Sequence, residues 1–130
     1  MNLKLALIFC IFFTLASNFY AQNPSENKKH YTHQDSLRGS ITQERNWWDL
    51  TYYDLEVNVD PKTKTIFGQN TISYKVLQEN NSLQIDLQSP MRITKVIQNG
   101  EVLNVKSDGN AHFVQLKHLQ KQNSHQNIVV

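Results

Sequence analysis

Residues 53–76, YDLEVNVDPKTKTIFGQNTISYKV, decide the fold. In the first part of this stretch every second residue is apolar and the residues between are acidic or amide, which predicts a β-strand with one buried and one solvated face. Asp60-Pro61-Lys62-Thr63 predicts a turn, because proline fixes φ at the second turn position. A second strand is expected from Thr65 to Val76, where the period of two resumes. The predicted buried face of the first strand consists of Tyr53, Leu55, Val57 and Val59.

The second strand is expected to place a glycine on one face together with larger residues. Glycine inside a strand marks a bulge or a close approach of another backbone, so Gly68 predicts one of these two features. A polar turn is expected over Gln78–Ser82, followed by a third strand in which Leu83, Ile85 and Leu87 alternate with polar residues. The face of the second strand that contains the glycine consists of Gly68, Asn70, Ile72, Tyr74 and Val76.

Two glycine-containing turns organise the following region. Asn99-Gly100 lies between β-rich runs at 91–98 and 101–105, and both of its residues tolerate the positive φ of a type I′ hairpin turn. Asp108-Gly109-Asn110 predicts a second turn, which leads into a strand over 111–116.

The end of the sequence predicts a polar loop over 117–127 and then the opening of another strand at Ile128-Val129-Val130. Six or seven short strands separated by frequent turns favour an all-β, antiparallel β-sandwich. We expect this sandwich to be incomplete at its C-terminus, with one or more partner strands missing.

Residues 1–21 are typical of a secretory signal peptide that is cleaved after Ala21. Lys4 gives a positive start, and the apolar run that follows is shorter than the roughly 20 residues needed to span a bilayer. Cleavage removes Cys10, the single cysteine, so the exported domain is expected to depend on an apolar core without a disulfide. Loss of Lys4 changes the formal charge from +2 to +1. The remaining basic residues are scattered, which predicts neither a nucleic-acid partner nor a membrane partner after signal removal.

Residues 22–46 are polar and irregular, and we interpret them as a linker or a strap over the domain. Thr42 is expected to cap one short helical turn there. The β domain is expected to span residues 47–130. Export could end in the periplasm, at the cell surface or in the medium.

The five histidines do not predict a metal site. None of them begins a His-Glu-x-x-His zinc pattern. His30, His33 and Asp35 have a loosely metal-like spacing, but solvated linker residues are the preferred interpretation. His112 is expected to point to solvent or to a strand neighbour. The two histidines assigned to the polar loop are His118 and His125.

Catalytic residues are not predicted either. The alternating acidic residues Asp54, Glu56 and Asp60 are explained as the solvated face of one strand rather than as paired catalytic carboxylates. The sequence contains no Gly-x-Ser-x-Gly elbow and no glycine-rich phosphate loop. We therefore assign no catalytic residue, no metal ligand and no cofactor to this chain.

A cluster of four aromatic residues is the candidate interdomain contact. Strand parity predicts that Trp48 and Tyr52 share a face with Leu50. One interpretation is that these rings join the linker to the core and contact another domain; the other is an exposed platform for sugar or peptide. We favour the first. The cluster consists of Trp47, Trp48, Tyr52 and Tyr53, of which the first and last take the other face.

Three segments resemble the start of exported bacterial zinc aminopeptidases of the M1 family. They are YTHQDSLRGSITQERNWWDLTYYDLEVNVD at 31–60, TIFGQNTISYKVL at 65–77 and SLQIDLQSPMRITKVIQNG at 82–100. The resemblance covers nearly all of the chain after the signal peptide, and its more specific parts are Arg-Gly-Ser-Ile-Thr and Trp-Trp-Asp.

The resemblance implies a saddle-shaped β domain beside a thermolysin-like catalytic domain of the same polypeptide. The family's Gly-x-Met-Glu-Asn loop, His-Glu-x-x-His helix and downstream zinc-binding Glu do not occur in these 130 residues, so no catalytic or metal residue is carried over. The expected function is that of a non-catalytic domain that braces the catalytic domain. The zinc and the peptide substrate would belong to the parent enzyme, which removes N-terminal residues from peptides. The alternative is a free-standing exported β-sandwich module that binds peptide or glycan.

Overall fold

The structure is a computed structural model that describes residues 30–130. The predicted signal peptide and the first residues of the predicted linker lie outside the described residues. One short helix precedes the strands: α1 spans His33–Gly39. The strands are β1 (Trp48–Asp60), β2 (Thr65–Val76), β3 (Asn80–Asp86), β4 (Ile97–Gln98), β5 (Glu101–Val102), β6 (Asn104–Asp108), β7 (Ala111–Gln120) and β8 (His125–Val129).

The strands form two antiparallel sheets, which confirms the prediction of an all-β, sandwich-like fold. The larger sheet has the order β1-β2-β8-β4-β5, and the smaller has the order β3-β7-β6. Every pairing between these strands is antiparallel. β8 comes last among the described strands but lies between β2 and β4, so it joins the two parts of the larger sheet.

The apolar core lies where the two sheets face each other. Ile72, Tyr74 and Val76 of β2 alternate, as a period of two requires, and all are buried. Val114 and Leu116 of β7 belong to the same core cluster from the smaller sheet. The core cluster consists of Trp47, Ile72, Tyr74, Val76, Leu83, Val96, Leu103, Val114, Leu116 and Ile128.

Several predicted local features are confirmed. β2 has the predicted bounds, Thr65–Val76. Asn99 and Gly100 have φ values of 52° and 81°, as a type I′ turn requires. Gly109 lies in the second predicted turn with φ 58°. Gly68 marks a close backbone approach, because a Cβ there would overlap the carbonyl oxygen of Glu56 and lie 3.1 Å from Cα of Val57.

Other predicted strand boundaries were wrong. β3 begins at Asn80, inside the predicted turn, and the β-rich run at 91–96 forms no strand. β7 continues through polar residues to Gln120, and β8 begins at His125. His118 and His125 therefore lie on strands rather than in a loop. Ladder hydrogen bonds join backbone groups, so polar side chains do not prevent a strand from continuing along its neighbour.

The segment before β1 packs against β3 through a buried glutamine. Gln84, with 2% of its surface exposed, donates to the Leu37 carbonyl at 3.2 Å and accepts from Thr42 Oγ1 at 2.9 Å. Arg45 also forms an ion pair with Asp86. The turn predicted at Thr42 exists, because its carbonyl accepts from the amides of Arg45 and Asn46. The Thr42 side chain, however, donates to Gln84 instead of capping that turn.

Candidate functional site

More than half of the exposed large hydrophobic side chains among the described residues lie on the β1–β2 hairpin. Directly opposed residues in an antiparallel pair project to the same side of the sheet. Tyr53 opposes Ile72 and Val59 opposes Ile66, so the apolar residues of β1 share the side of β2 that forms the core. We call this exposed set the hairpin face. It consists of Tyr53 (51% exposed), Leu55 (66%), Val57 (50%), Val59 (64%) and Ile66 (56%).

The predicted burial of one face of β1 is therefore wrong. The residues from Asp49 to Val59 are exposed on both sides of the strand. The reason is the extent of the smaller sheet, whose Leu83, Val114 and Leu116 reach the end of the hairpin that carries Ile72, Tyr74 and Val76 but not the distal end. The side chains alternate as predicted, but the distal half of the hairpin stays exposed.

A groove of about 250 Å³ lies along the hairpin face. Asn70 is one of the residues that line it, and its Oδ1 is a buried acceptor that has no hydrogen-bond partner within the described residues. Buried polar atoms are normally paired, so this atom marks a place where a donor is missing. The apolar residues lining the groove include Leu55, Ile66, Met91, Ile93 and Val130.

The reverse side of the hairpin is mostly polar. Asp54, Glu56 and Asn58 oppose Thr71, Gln69 and Phe67. Gln69 Nε2 donates to Glu56 Oε2 at 3.0 Å across the strands. The acidic residues are thus the solvated face of a strand, as the alternation predicts. The hairpin is amphipathic, with one side suited to water and the other suited to a covering partner.

The hairpin tip is held by Asp60. Its carboxylate accepts from the amide of Lys62 at 2.9 Å and from Thr63 Oγ1 at 2.7 Å. The Thr63 hydroxyl is the main cause that lowers the pKa of Asp60, and the amides of Lys62 and Thr63 act in the same direction. Lys64 completes the turn with φ 55°. The tip is therefore an ordered turn.

Two of the four predicted contact residues join the segment before β1 to the core. Trp47 is 1% exposed and donates from Nε1 to the Ser82 carbonyl at 2.6 Å. Trp48 is half-buried and donates from Nε1 to the Glu44 carbonyl at 3.0 Å. Both indoles contact the Tyr74 ring edge-on, with centroid distances of 5.9 and 5.6 Å. These tryptophans pack within the chain itself.

The other two predicted contact residues are exposed on opposite sides of the hairpin. The pairing register shifts between Leu50 and Tyr52, which is a β-bulge. A bulge changes which side later residues face. Leu50, opposite Tyr74, and Tyr53, opposite Ile72, therefore lie on one side, while Tyr52, opposite Ser73, lies on the other. Trp48 shares the side of Leu50, as predicted, but the sides predicted for Tyr52 and Tyr53 were wrong, and the four aromatic residues do not form one surface.

His33 and His112 contact different partners. His33 Nε2 lies 2.8 Å from Asp108 Oδ2, and this contact is the main cause that lowers the pKa of Asp108. Asp35 instead accepts from the amide and hydroxyl of Thr32. His112 is buried, with Nδ1 2.8 Å from Ser107 Oγ on the paired strand, so it contacts a strand neighbour and not solvent. Within residues 30–130 no group of three potential metal ligands is assembled.

Sequence reasoning missed helix α1. Thr32 and Asp35 form a capping box, in which the Thr32 side chain accepts from the Asp35 amide and Asp35 accepts from the Thr32 amide. A threonine followed three residues later by an acidic residue is a visible signal for a helix start. The role of Gln84 had no such signal, because its burial depends on the segment packed over it.

No protein-family model matches the chain, and no curated protein matches it. Among residues 30–130, no helix has the length and apolar character needed to cross a bilayer.

Proposed function

We propose that this chain is the N-terminal, non-catalytic β domain of an exported M1-like zinc aminopeptidase. In this proposal the hairpin face packs against the catalytic domain of the same polypeptide and braces it. The zinc would reside in that catalytic domain, where zinc-activated water would attack the first peptide bond of a substrate. No residue of this chain has a catalytic role in the proposal.

The observation that carries the proposal is the uncovered half of the hairpin. Five apolar side chains of the hairpin face are each at least half exposed, although they continue the same side of the sheet that forms the core. Contiguous exposed apolar surface on an exported protein is typical of an interaction site. The resemblance of residues 31–60, 65–77 and 82–100 to the M1 family suggests which partner covers it.

The first experiment reads the transcript beyond the codon for Val130. We expect an open frame that reaches a His-Glu-x-x-His motif. A stop codon directly after Val130 would overturn the proposal. The second experiment measures hydrolysis of aminoacyl-nitroanilides by the parent and by this chain alone. We expect chelator-sensitive turnover by the parent only, and chelator-sensitive turnover by this chain would contradict the assignment of a non-catalytic domain.

The alternative, a free-standing binding module for peptide or glycan, would have to use the same surface. Trp47 is buried and Tyr52 and Tyr53 lie on opposite sides of the hairpin, so the aromatic cluster does not offer one ligand platform. Thermal unfolding separates the two functions. A sharp, reversible transition of the isolated chain favours the module, whereas aggregation through the uncovered hairpin favours a domain that needs its partner.

A further inference from the structure

One edge of β2 is open along half of its length. β1 pairs with β2 from Thr65 to Val76, but β8 pairs only with Thr71–Lys75. The ladder then extends by one residue, because the Asn70 amide donates to the Val130 carbonyl at 2.8 Å and the Val130 amide donates to the Asn70 carbonyl at 3.0 Å. Over Thr65–Gln69, this edge has no strand beside it among the described residues.

The open edge presents backbone groups that are ready to pair. Asn70 exchanges both of its backbone hydrogen bonds with Val130. In an antiparallel ladder, alternate residues direct their N–H and C=O groups to the same edge. Gly68 and Ile66 therefore direct their backbone groups to the open edge, whereas those of Phe67 point to β1. Unpaired groups of this kind are a template for another strand.

The side chains beside the open edge also lack a covering partner. Val130, Gly68 and Ile66 all line the groove on the hairpin face. Asn70, whose buried Oδ1 has no partner among residues 30–130, lines the same groove. A segment placed along this edge would cover apolar side chains, satisfy backbone groups and approach an acceptor that needs a donor.

We propose that the open edge of β2, Thr65–Gln69, docks an extended segment of the same polypeptide that continues β8 in antiparallel register. This inference rests on the proposed function, which supplies polypeptide beyond residue 130. A segment of the same chain fits better than a second copy, because β8 already runs along this edge and no connecting loop has to be closed.

The register specifies the chemistry of the segment. Thr71 opposes Val129 and Ile72 opposes Ile128, so each step forward along β8 is one step back along β2. The first five residues after Val130 thus oppose residues 69, 68, 67, 66 and 65 in turn. The second and fourth residues of the docked segment face the groove and are apolar, while its first, third and fifth residues lie on the polar side of the hairpin.

The position opposite Gly68 favours a large ring. Gly68 has no side chain, and an aromatic residue across from a strand glycine covers the exposed backbone. A diagonal neighbour on an adjacent strand is within reach of a long side chain. A tyrosine at the second position would therefore lie over Gly68 and bring a hydroxyl donor towards Asn70 Oδ1.

The test extends the whole chain by five residues after Val130. One tail is Thr-Tyr-Thr-Val-Thr, and the control tail is Tyr-Thr-Val-Thr-Thr, which has the same composition and the opposite parity. Amide hydrogen exchange at Ile66 and Gly68 is compared with that at Phe67, which is already bonded towards β1. We expect the first tail to slow exchange at Ile66 and Gly68 by about tenfold and the control tail by less than about twofold. Equal exchange with both tails would overturn the docking register.

The transcript separates this inference from the proposed function. An open frame that reaches His-Glu-x-x-His but places charged residues second and fourth after Val130 overturns the docked segment and leaves the proposed function standing. A stop codon after Val130 overturns the proposed function and also removes the docked segment. An open frame with apolar residues at both positions, together with the expected exchange pattern, supports both.

Discussion

The two halves of the β1–β2 hairpin have the same alternating sequence, but only one half is buried. In the covered half, Ile72 and Tyr74 are 3% and 0% exposed. In the uncovered half, Leu55 and Ile66 are 66% and 56% exposed on the same side of the sheet. The comparison teaches that a period of two determines which side chains share a face. Whether that face is buried depends on how far the opposing sheet extends.

The largest expected difference between the two halves comes from one pair of substitutions. Ile72→Ala and Ile66→Ala remove the same atoms from the same strand and the same face. Ile72→Ala should lower the free energy of unfolding by about 2–5 kcal/mol, because it leaves a cavity in the core. Ile66→Ala should change it by less than about 0.5 kcal/mol. Urea unfolding measures both, and equal losses would mean that the distal half is also covered.

High pH should weaken the covered half through Tyr74. Burial raises the pKa of the Tyr74 phenol to about 12 and outweighs the opposing effect of the hydrogen bond from Gln98. Because the folded-state pKa lies above the ordinary value of 10.0, the contribution to stability is complete below pH 10 and is lost as the pH rises towards 12. Urea midpoints measured at pH 9 and pH 11 should show this loss.

The matched control is Tyr74→Phe, which keeps the ring and removes the titrating group. Its midpoint should fall less than that of the unchanged chain between the two pH values. Equal falls would show that Tyr74 does not cause the loss of stability.

A smaller effect on overall stability than that of Ile72→Ala is expected from Gly68→Ala in the uncovered half. The added Cβ would overlap the Glu56 carbonyl oxygen, so the two strands must move apart locally. Amides of the distal hairpin should exchange faster, and the free energy of unfolding should fall by less than it does for Ile72→Ala, because local opening need not involve the core. Gly39→Ala is the control, since a Cβ there meets nothing within 4 Å. If Gly68→Ala lowered the free energy of unfolding as much as Ile72→Ala does, the two halves of the hairpin would not differ in their contribution to stability.

Local features were predictable from the sequence because local chemistry determines them. The Asn99-Gly100 turn needs positive φ at both positions, and the structure has it there. The strand Thr65–Val76 was predicted with its observed bounds, because its alternation is uninterrupted between two turns. The close approach at Gly68 was one of two alternatives that a glycine in a strand predicts.

Features that depend on distant residues were not predictable in the same way. The bulge between Leu50 and Tyr52 changes strand parity, and the alternation of polar and apolar residues does not predict it. The exposure of the hairpin face depends on the size of the other sheet. Gln84 is polar and lies in a strand, yet it is buried because Leu37 and Thr42 cross over it. Within the candidate site, the pattern therefore identified the apolar residues of β1 but not their exposure.

The central position of β8 has a consequence for the order of events during synthesis. β1 and β2 are joined by a short turn, so this hairpin can form as soon as residue 76 has left the ribosome. The neighbour of β2 on its other side is made more than fifty residues later, since Ile72 pairs with Ile128. Until then the nascent chain carries a strand with a free edge and an unsealed apolar side. Chaperones bind growing chains that expose apolar surface and unpaired strand edges. This sheet can therefore become independent of chaperones only after β8 has been synthesised.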